Sequence, residues 1–297
     1  MADHDKNEVD EVSGTETTGH EWDGIKELNT PLPRWWLWTF YGTIVWGVIY
    51  TILYPAWPLV NDATAGVLGY SSRTAVHEAI EQAAAEQSVF TDKISALDIE
   101  EVASDAELVQ FATSGGAAVF RNYCSQCHGA GAAGVQASGY PNLLDDDWIW
   151  GGTLADIETT IRHGIRYDAD DDTRISEMPA FGDMEILSKE EIAAVADHVL
   201  SFTGAASSTE EGATLYADNC AACHGEEGKG MHELGAPNLT DAIWLYGGSR
   251  DRVIETITHS RAGAMPAWNK EVRGASGLTD AQIKQVAIYV HSLGGGQ

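Results

Sequence analysis

The chain's four cysteines fall in two short clusters, Cys124/Cys127 and Cys220/Cys223, and a histidine follows each pair at once, His128 and His224. Cys-x-x-Cys-His suits covalent haem attachment. Two thiols reach the two vinyl-derived carbons of one porphyrin, and the adjacent imidazole swings beneath the ring to supply an axial nitrogen to the iron. Two other chemistries use paired cysteines. A four-cysteine zinc ribbon wants its second pair some 15–20 residues after the first, and here it lies nearly a hundred residues on. A thioredoxin-type redox site wants one motif in a strand–helix setting, without a histidine after each copy. No cysteine remains for a structural disulfide. The expectation is two covalently bound haem c groups, held by Cys124 and Cys127 and by Cys220 and Cys223.

Each iron then needs a sixth ligand. Met178 and Met265 each open a Met-Pro-Ala-aromatic segment, and the chain has only five methionines. A thioether there raises the potential relative to bis-histidine ligation; the bland alternative is that these side chains fill core gaps. His163 and His259 also recur in matching places and are the rival ligands, read here as satisfied histidines or hydrogen-bond partners near the haem edge. Met184 and Met231 have no matching partner and read as packing or surface residues. The expected axial ligands are His128, His224, Met178 and Met265. Whether each methionine serves the haem of its own repeat or of the other stays open. Neither a nucleophilic triad, a P-loop nor a carboxylate pair stands out.

Positioning these groups requires a duplicated scaffold. From about Glu107 onward the chain repeats at a constant offset of 96 residues: Gly116-Ala-Ala-Val-Phe120 matches Gly212-Ala-Thr-Leu-Tyr216, Pro141-Asn-Leu143 matches Pro237-Asn-Leu239, and Trp150-Gly-Gly152 matches Tyr246-Gly-Gly248. The methionine segments correspond at an offset of 87, so the first copy carries about nine extra residues, the acidic loop around Asp168 to Asp172. Such a repeat is too long for a solenoid unit and suits tandem small domains. Gly116 and Gly212 should let another helix approach closely, while Phe120 and Tyr216, four residues on, pack against it. Helical patterns close both copies, over 189–202 and 280–293, and Gly204 to Thr209 reads as a linker.

Ahead of the repeats, residues 35–61 contain no charged side chain and have Trp35, Trp36 and Trp38 at one end and Tyr54 and Trp57 at the other. The run can cross a bilayer core as a helix, with aromatic rings at both interfaces. No short small-residue cleavage site follows, so the span should stay as an anchor. The acidic residues before it read as a mostly disordered tail, and residues 74–87 have helical character. With 17 Lys plus Arg against 45 Asp plus Glu, the formal net charge is −28, which repels nucleic acid and favours basic partners. That charge either steers a basic donor or forms a solvated surface suited to salt, and its spread along the chain favours the second.

The layout resembles the dihaem subunit, CcoP or FixP type, of cbb(3)-type cytochrome c oxidases. The resemblance is carried by His20-Glu-Trp-Asp-Gly-Ile-Lys-Glu-Leu-Asn-Thr-Pro-Leu-Pro-Arg34, Trp35-Trp36-Leu-Trp38, Tyr54-Pro-Ala-Trp-Pro58 and Gly69-Tyr-Ser-Ser-Arg73. It implies a mainly α protein with a single N-terminal transmembrane helix followed by two tandem class I cytochrome c domains. The expected divisions are an acidic cytoplasmic tail (1–33), a transmembrane helix (34–60), a helical periplasmic linker (61–106) and cytochrome c domains at 107–204 and 205–297. The implied role is that of an electron-input subunit in a proton-translocating terminal oxidase, with no catalysis of its own. Electrons would come from a donor cytochrome c and pass toward a monohaem cytochrome c subunit and the haem–copper subunit that reduces dioxygen. Thioether attachment in c-type cytochromes takes place outside the cytoplasm, so the haem domains should be periplasmic on a bacterial inner membrane, with the N-terminus cytoplasmic. A free-standing membrane-anchored dihaem shuttle is the alternative. A dihaem peroxidase would need one iron left open, against two complete His/Met sets.

Overall fold

A computed structural model of the chain describes residues 8–241 and 243–296. Contacts divide it into two compact units, Met1–Ala85 and Glu86–Gln297.

In the first unit, strands β1 (Thr17–Trp22) and β2 (Ile25–Leu28) form an antiparallel hairpin pairing Trp22 with Ile25 and Glu21 with Lys26. Over residues 17–28 the acidic tail is therefore structured where disorder was expected. Asp23 and Gly24 turn the chain at φ 50° and 86°, and an Asp-Gly pair is favoured where both central residues of a two-residue turn need positive φ. Helix α1 (Arg34–Leu53) is 20 residues long with no buried residue. At 1.5 Å per residue it spans about 30 Å, the thickness of a hydrocarbon core. Its mean hydropathy of 1.3 fits a membrane anchor. The helix stops seven residues short of the expected boundary at 60, because Pro55 pushes the residue before it out of helical conformation. Tyr54 is extended at φ −115°, ψ 160°. The chain then folds back, and the Val67 and Leu68 N–H groups reach the Ile52 and Leu53 carbonyls at 2.9 and 3.1 Å, satisfying acceptors that a helix end leaves unpaired. Helix α2 (Ser72–Ala96) extends the predicted 74–87 helix and contains the boundary between the units.

The second unit contains α3 (Ile99–Ser104), α4 (Ala106–Val119), a π-helical turn over Phe120–Cys124, α5 (Ser125–His128), α6 (Leu154–His163), α7 (Lys189–Ser201), α8 (Glu210–Asn219), α9 (Ala221–His224), α10 (Arg250–His259), α11 (Lys270–Arg273) and α12 (Asp280–His291). Side chains cap the longer helices: Ser188 with Glu191 boxes the start of α7, and Thr279 with Gln282 that of α12. Each such cap satisfies orphan N–H groups and contributes about 1 kcal/mol.

Two hydrophobic cores form, and neither coincides with a sequence repeat. Lobe A packs α4 and α6 of the first repeat against α12 of the second, burying Leu108, Val119, Phe120, Ile157, Ile161, Ile283 and Val286 together with Ile94, Ile99 and Val102. Lobe B packs α8 and α10 of the second repeat against α7 of the first, burying Ile192, Val195, Val199, Tyr216, Val253 and Ile257. The expected division at 204/205 is a boundary between repeats rather than between packed bodies. Only residues 202–209 separate α7 from α8, and a connection that short favours packing of consecutive helices as neighbours. Both repeat-matched glycines make close crossings, as their spacing predicts, and both crossings exchange partners. A Cβ on Gly116 would strike the backbone of Gln285 in α12, and one on Gly212 the Ala194 carbonyl in α7. The aromatic residues follow the same exchange, with Phe120 packed on Tyr289 and Tyr216 on His198 and Phe202.

Candidate haem sites in the two lobes

The local sequence around each Cys-x-x-Cys-His dictates a helix, a sharp turn and a returning chain. In lobe A, α5 ends at His128, and Gly129 leaves the helix at φ 78°. Gly134, at φ 67°, sits so close to Tyr140 and Pro141 that a Cβ would overlap their backbone. That approach puts the Pro141 carbonyl 3.2 Å from His128 Nδ1. Lobe B repeats the device: Gly230, at φ 75°, lies against Ala236 and Pro237, and the Pro237 carbonyl is 3.1 Å from His224 Nδ1. The Pro-Asn-Leu segments thus supply an acceptor for the imidazole. A hydrogen bond at Nδ1 fixes ring and tautomer and leaves Nε2 free to bind a metal. Burial pushes both imidazoles below the ordinary histidine pKa against the opposing effect of the proline carbonyls, so the ligating neutral form prevails at pH 7.

The four thiols are free, with Cys127 and Cys223 exposed and Cys124 and Cys220 more enclosed. Burial and the neighbouring cysteine push Cys124 up to about 12 and Cys220 to about 11. A disulfide-exchange site lowers its thiol pKa instead, so the electrostatics oppose a thioredoxin-like reading.

Each methionine packs in the lobe built around the other repeat's cysteines. Met265 lies against the lobe A core with Cys124, and Met178 against the lobe B core that includes Cys220. Backbone bonds hold the crossed segments. Trp268 N–H donates to the Ile161 carbonyl at 3.0 Å, and Phe181 N–H to the Ile257 carbonyl at 3.1 Å. Met265 and Ile165 exchange N–H···O bonds of 2.9 and 2.8 Å, and the Ser260 hydroxyl donates to the Met178 carbonyl. The structure therefore groups Cys124, Cys127 and His128 with Met265, and Cys220, Cys223 and His224 with Met178. Met184 is exposed. The rival histidines are otherwise engaged at Nδ1: His163 faces Asp170 at 3.2 Å and His259 faces Asp183 at 2.9 Å. Asp170, in the extra loop of the first repeat, is buried and also accepts from Asn269 Nδ2 at 3.0 Å.

A matched pair of arginines escaped the sequence reading. Arg174 and Arg261 stand four residues before Met178 and Met265, related by the same offset of 87 as the methionines. Arg174 stacks over Trp150 at 5.4 Å and Arg261 over Tyr246 at 4.8 Å. The same two rings form the seam between the lobes, Trp150 against Gly235 and Tyr246 against Gly139. The repeated offset was a usable signal, but nothing in the sequence said that a seam existed for these residues to occupy.

A helix-lined lobe with a tethering thiol pair, a carbonyl-anchored imidazole and a thioether segment is a cytochrome c domain, and two follow a membrane-anchor helix here. Comparison with known proteins also finds cytochrome c domains, matched along the two sequence repeats. Residues 14–61 match the N-terminal domain of cytochrome oxidase-cbb3, FixP; residues 111–199 match cytochrome c oxidase, cbb3-type, subunit III; residues 209–294 match cytochrome c. The subunit CcoP of a cbb3-type cytochrome c oxidase from Cereibacter sphaeroides is 55% identical over 284 residues, 95% of each chain. The subunit FixP from Sinorhizobium medicae is 51% identical over 300 residues, all of both chains. An Azospirillum subunit CcoP is 48% identical over 303 residues, 98% of this chain and 99% of its own. The chain belongs to the CcoP/FixP family of cbb3-type cytochrome c oxidase subunits.

Proposed function

We propose that this chain is the electron-input subunit of a cbb3-type haem–copper oxidase, taking electrons from a donor cytochrome c and delivering them toward a monohaem cytochrome c subunit and the catalytic subunit. The supporting observation is the twofold recurrence of one ligand constellation, each histidine anchored by a proline carbonyl and each lobe provided with one methionine segment. Haem c would supply a one-electron carrier at each site. Cys124 and Cys127 would tether one and Cys220 and Cys223 the other, with His128 and Met265 holding the iron in lobe A and His224 and Met178 in lobe B. The protein's part is to fix these donors in place and to wall them with apolar side chains, so that little reorganisation accompanies electron transfer. Helix α1 would hold the subunit in a bacterial inner membrane, with the hairpin on the cytoplasmic side and both lobes periplasmic. Dioxygen chemistry and proton translocation belong, in this proposal, to the partner subunits.

Purification from the native host in mild detergent tests the reading. Two haems per chain by pyridine haemochrome, co-purifying with a haem–copper subunit, is the expected outcome. Two haems on a chain that travels alone would point to a free-standing shuttle, and a haem-free chain would end the proposal.

A further inference from the structure

Beyond α1 the chain does not leave the helix end but folds back onto it. Residues 57–64 close as a small hairpin. Thr64 N–H donates to the Trp57 carbonyl at 2.9 Å, Leu59 N–H to the Asp62 carbonyl at 2.5 Å, and the Ala56 and Trp57 N–H groups reach Thr64 Oγ1 at 3.3 and 3.1 Å. Gly66, at φ 70°, then passes so near the end of α1 that a Cβ would overlap the Leu53 carbonyl. Val67 and Leu68 donate to the Ile52 and Leu53 carbonyls at 2.9 and 3.1 Å. Tyr70 closes edge-on against Tyr54 at 5.7 Å, and Tyr54 stacks on Tyr50 at 4.9 Å.

The outside of this segment is apolar. Val60, at the hairpin tip, is 99% exposed and Val67 74%, and Trp57, Leu59 and Leu68 are exposed as well. Apolar side chains gathered in this way mark a binding face. Residues 55–72 carry a single charged side chain, Asp62, in a chain with 45 acidic residues, so charge does not steer a partner to them.

Position names the occupant. Val67 and Leu68 bond to the last two residues of α1, Ile52 and Leu53. Both are therefore held level with the final turn, where a helix spanning about 30 Å leaves the hydrocarbon core. Tyr50, Tyr54 and Tyr70 gather at the same end, and such amphipathic rings settle at headgroup level. Asn61 and Asp62 follow Leu59-Val60 at the tip, and their polar groups suit the boundary rather than the apolar centre of a bilayer.

We propose that residues 55–70 form a second membrane contact, lying between lipid headgroups and acyl chains with Val60, Val67 and Leu68 against lipid. The inference rests on the reading of α1 as a membrane anchor. It adds to that reading a fixed attitude: an interfacial segment bonded to the end of a transmembrane helix restrains its tilt and depth.

The test uses the full-length chain in its native host, with p-benzoylphenylalanine in place of Val60, Val67 or, as a reference, Glu190 in the exposed first turn of α7. Val60 and Val67 point outward, so the replacements leave the backbone bonds in place. After irradiation of native membranes, the chains altered at Val60 and Val67 should gain the mass of one phospholipid, and the chain altered at Glu190 should not. A crosslink to another protein chain at either position would make the segment a subunit contact and overturn the inference. So would the absence of lipid adducts at both, or lipid capture at Glu190 equal to theirs. Extraction of the wild-type chain by alkaline carbonate separates the two readings. Release from the membrane would overturn the anchor itself, whereas a chain that resists extraction yet captures no lipid at Val60 and Val67 overturns the interfacial contact alone.

Discussion

Lobe B is made from one run of chain, from Met178 through α7, α8 and α9 to the end of α10 at His259, whereas lobe A joins residues 94–163 to the segment that begins at Met265 and ends in α12. Lobe B is thus a cytochrome c unit with its terminal helices permuted and linked by residues 202–209, inserted into an interrupted lobe A. Their surfaces differ as well. Between Leu108 and Leu144 there is no Asp or Glu, and the turn after His128 reads Gly-Ala-Gly-Ala-Ala-Gly; the matching turn after His224 carries Glu226, Glu227 and Lys229. Near-identical Cys-x-x-Cys-His motifs and methionine segments therefore sit in two bodies of different continuity and different charge. Sequence duplication copies a pattern of contacts, and loop lengths then decide which copies satisfy one another.

Ending the chain at Gly263 gives the sharpest break in this comparison. It removes Met265 and the buried Ile283, Val286, Ile288 and Val290 of α12. Four such side chains are worth about 6–12 kcal/mol at 1.5–3 each, comparable to the whole stability of a typical domain. Lobe A, with the first haem motif, should unfold while lobe B keeps its haem and its Met178-dependent spectrum. Retention of both spectra would show that the lobes are not exchanged.

Methionine substitution is next in size. In a chain reduced to one haem by Cys220→Ala and Cys223→Ala, Met265→Ala should abolish the sulfur-to-iron charge-transfer band and Met178→Ala should leave it. The opposite result would return each methionine to its own repeat.

Gly116→Leu would force a side chain into the Gln285 backbone, and Gly212→Leu into that of Ala194. Overpacking of this kind costs roughly 1–3 kcal/mol. Hydrogen exchange should show the loss across α4 and α12 for the first variant and across α7 and α8 for the second. Protection lost instead between α4 and α7 would contradict the exchange.

The charge difference predicts a smaller kinetic effect. Glu226→Gln with Glu227→Gln should slow reduction by a cationic donor cytochrome at low salt by up to about tenfold, and less as salt rises. An unchanged rate would place docking elsewhere.

The mildest effect concerns Asp147, whose carboxyl is pushed up to about 7 by burial and by the neighbouring Asp241 and Asp145. Between about pH 4, where this group titrates in the unfolded chain, and pH 7, the folded chain holds a proton that the unfolded chain releases. Its contribution to stability therefore falls as pH rises through that window. Asp147→Asn should flatten the decline in melting temperature over the same range, and an unaltered slope would assign it to other groups.

Much of this molecule was legible in its residues. The thiol and imidazole spacing, the repeated methionine segments and the matched glycines are local chemical requirements, and each must be written into the chain where it acts. The long uncharged run likewise had to be contiguous to make α1. Other features were written faintly: Asp23-Gly24 between Trp22 and Ile25 signals a hairpin, but the surrounding acidity concealed it, and Pro55 ends α1 although apolar residues continue past it. What the tertiary structure alone decided is partnership. Near-duplicate halves present near-equivalent surfaces, so local pattern cannot say which Met-Pro-Ala segment crosses to which helix, or that Arg174 and Trp150 meet at a seam. Those choices depend on the short α7–α8 connection and on helix crossings between residues far apart in sequence, and free energies of that kind exist only in the folded chain.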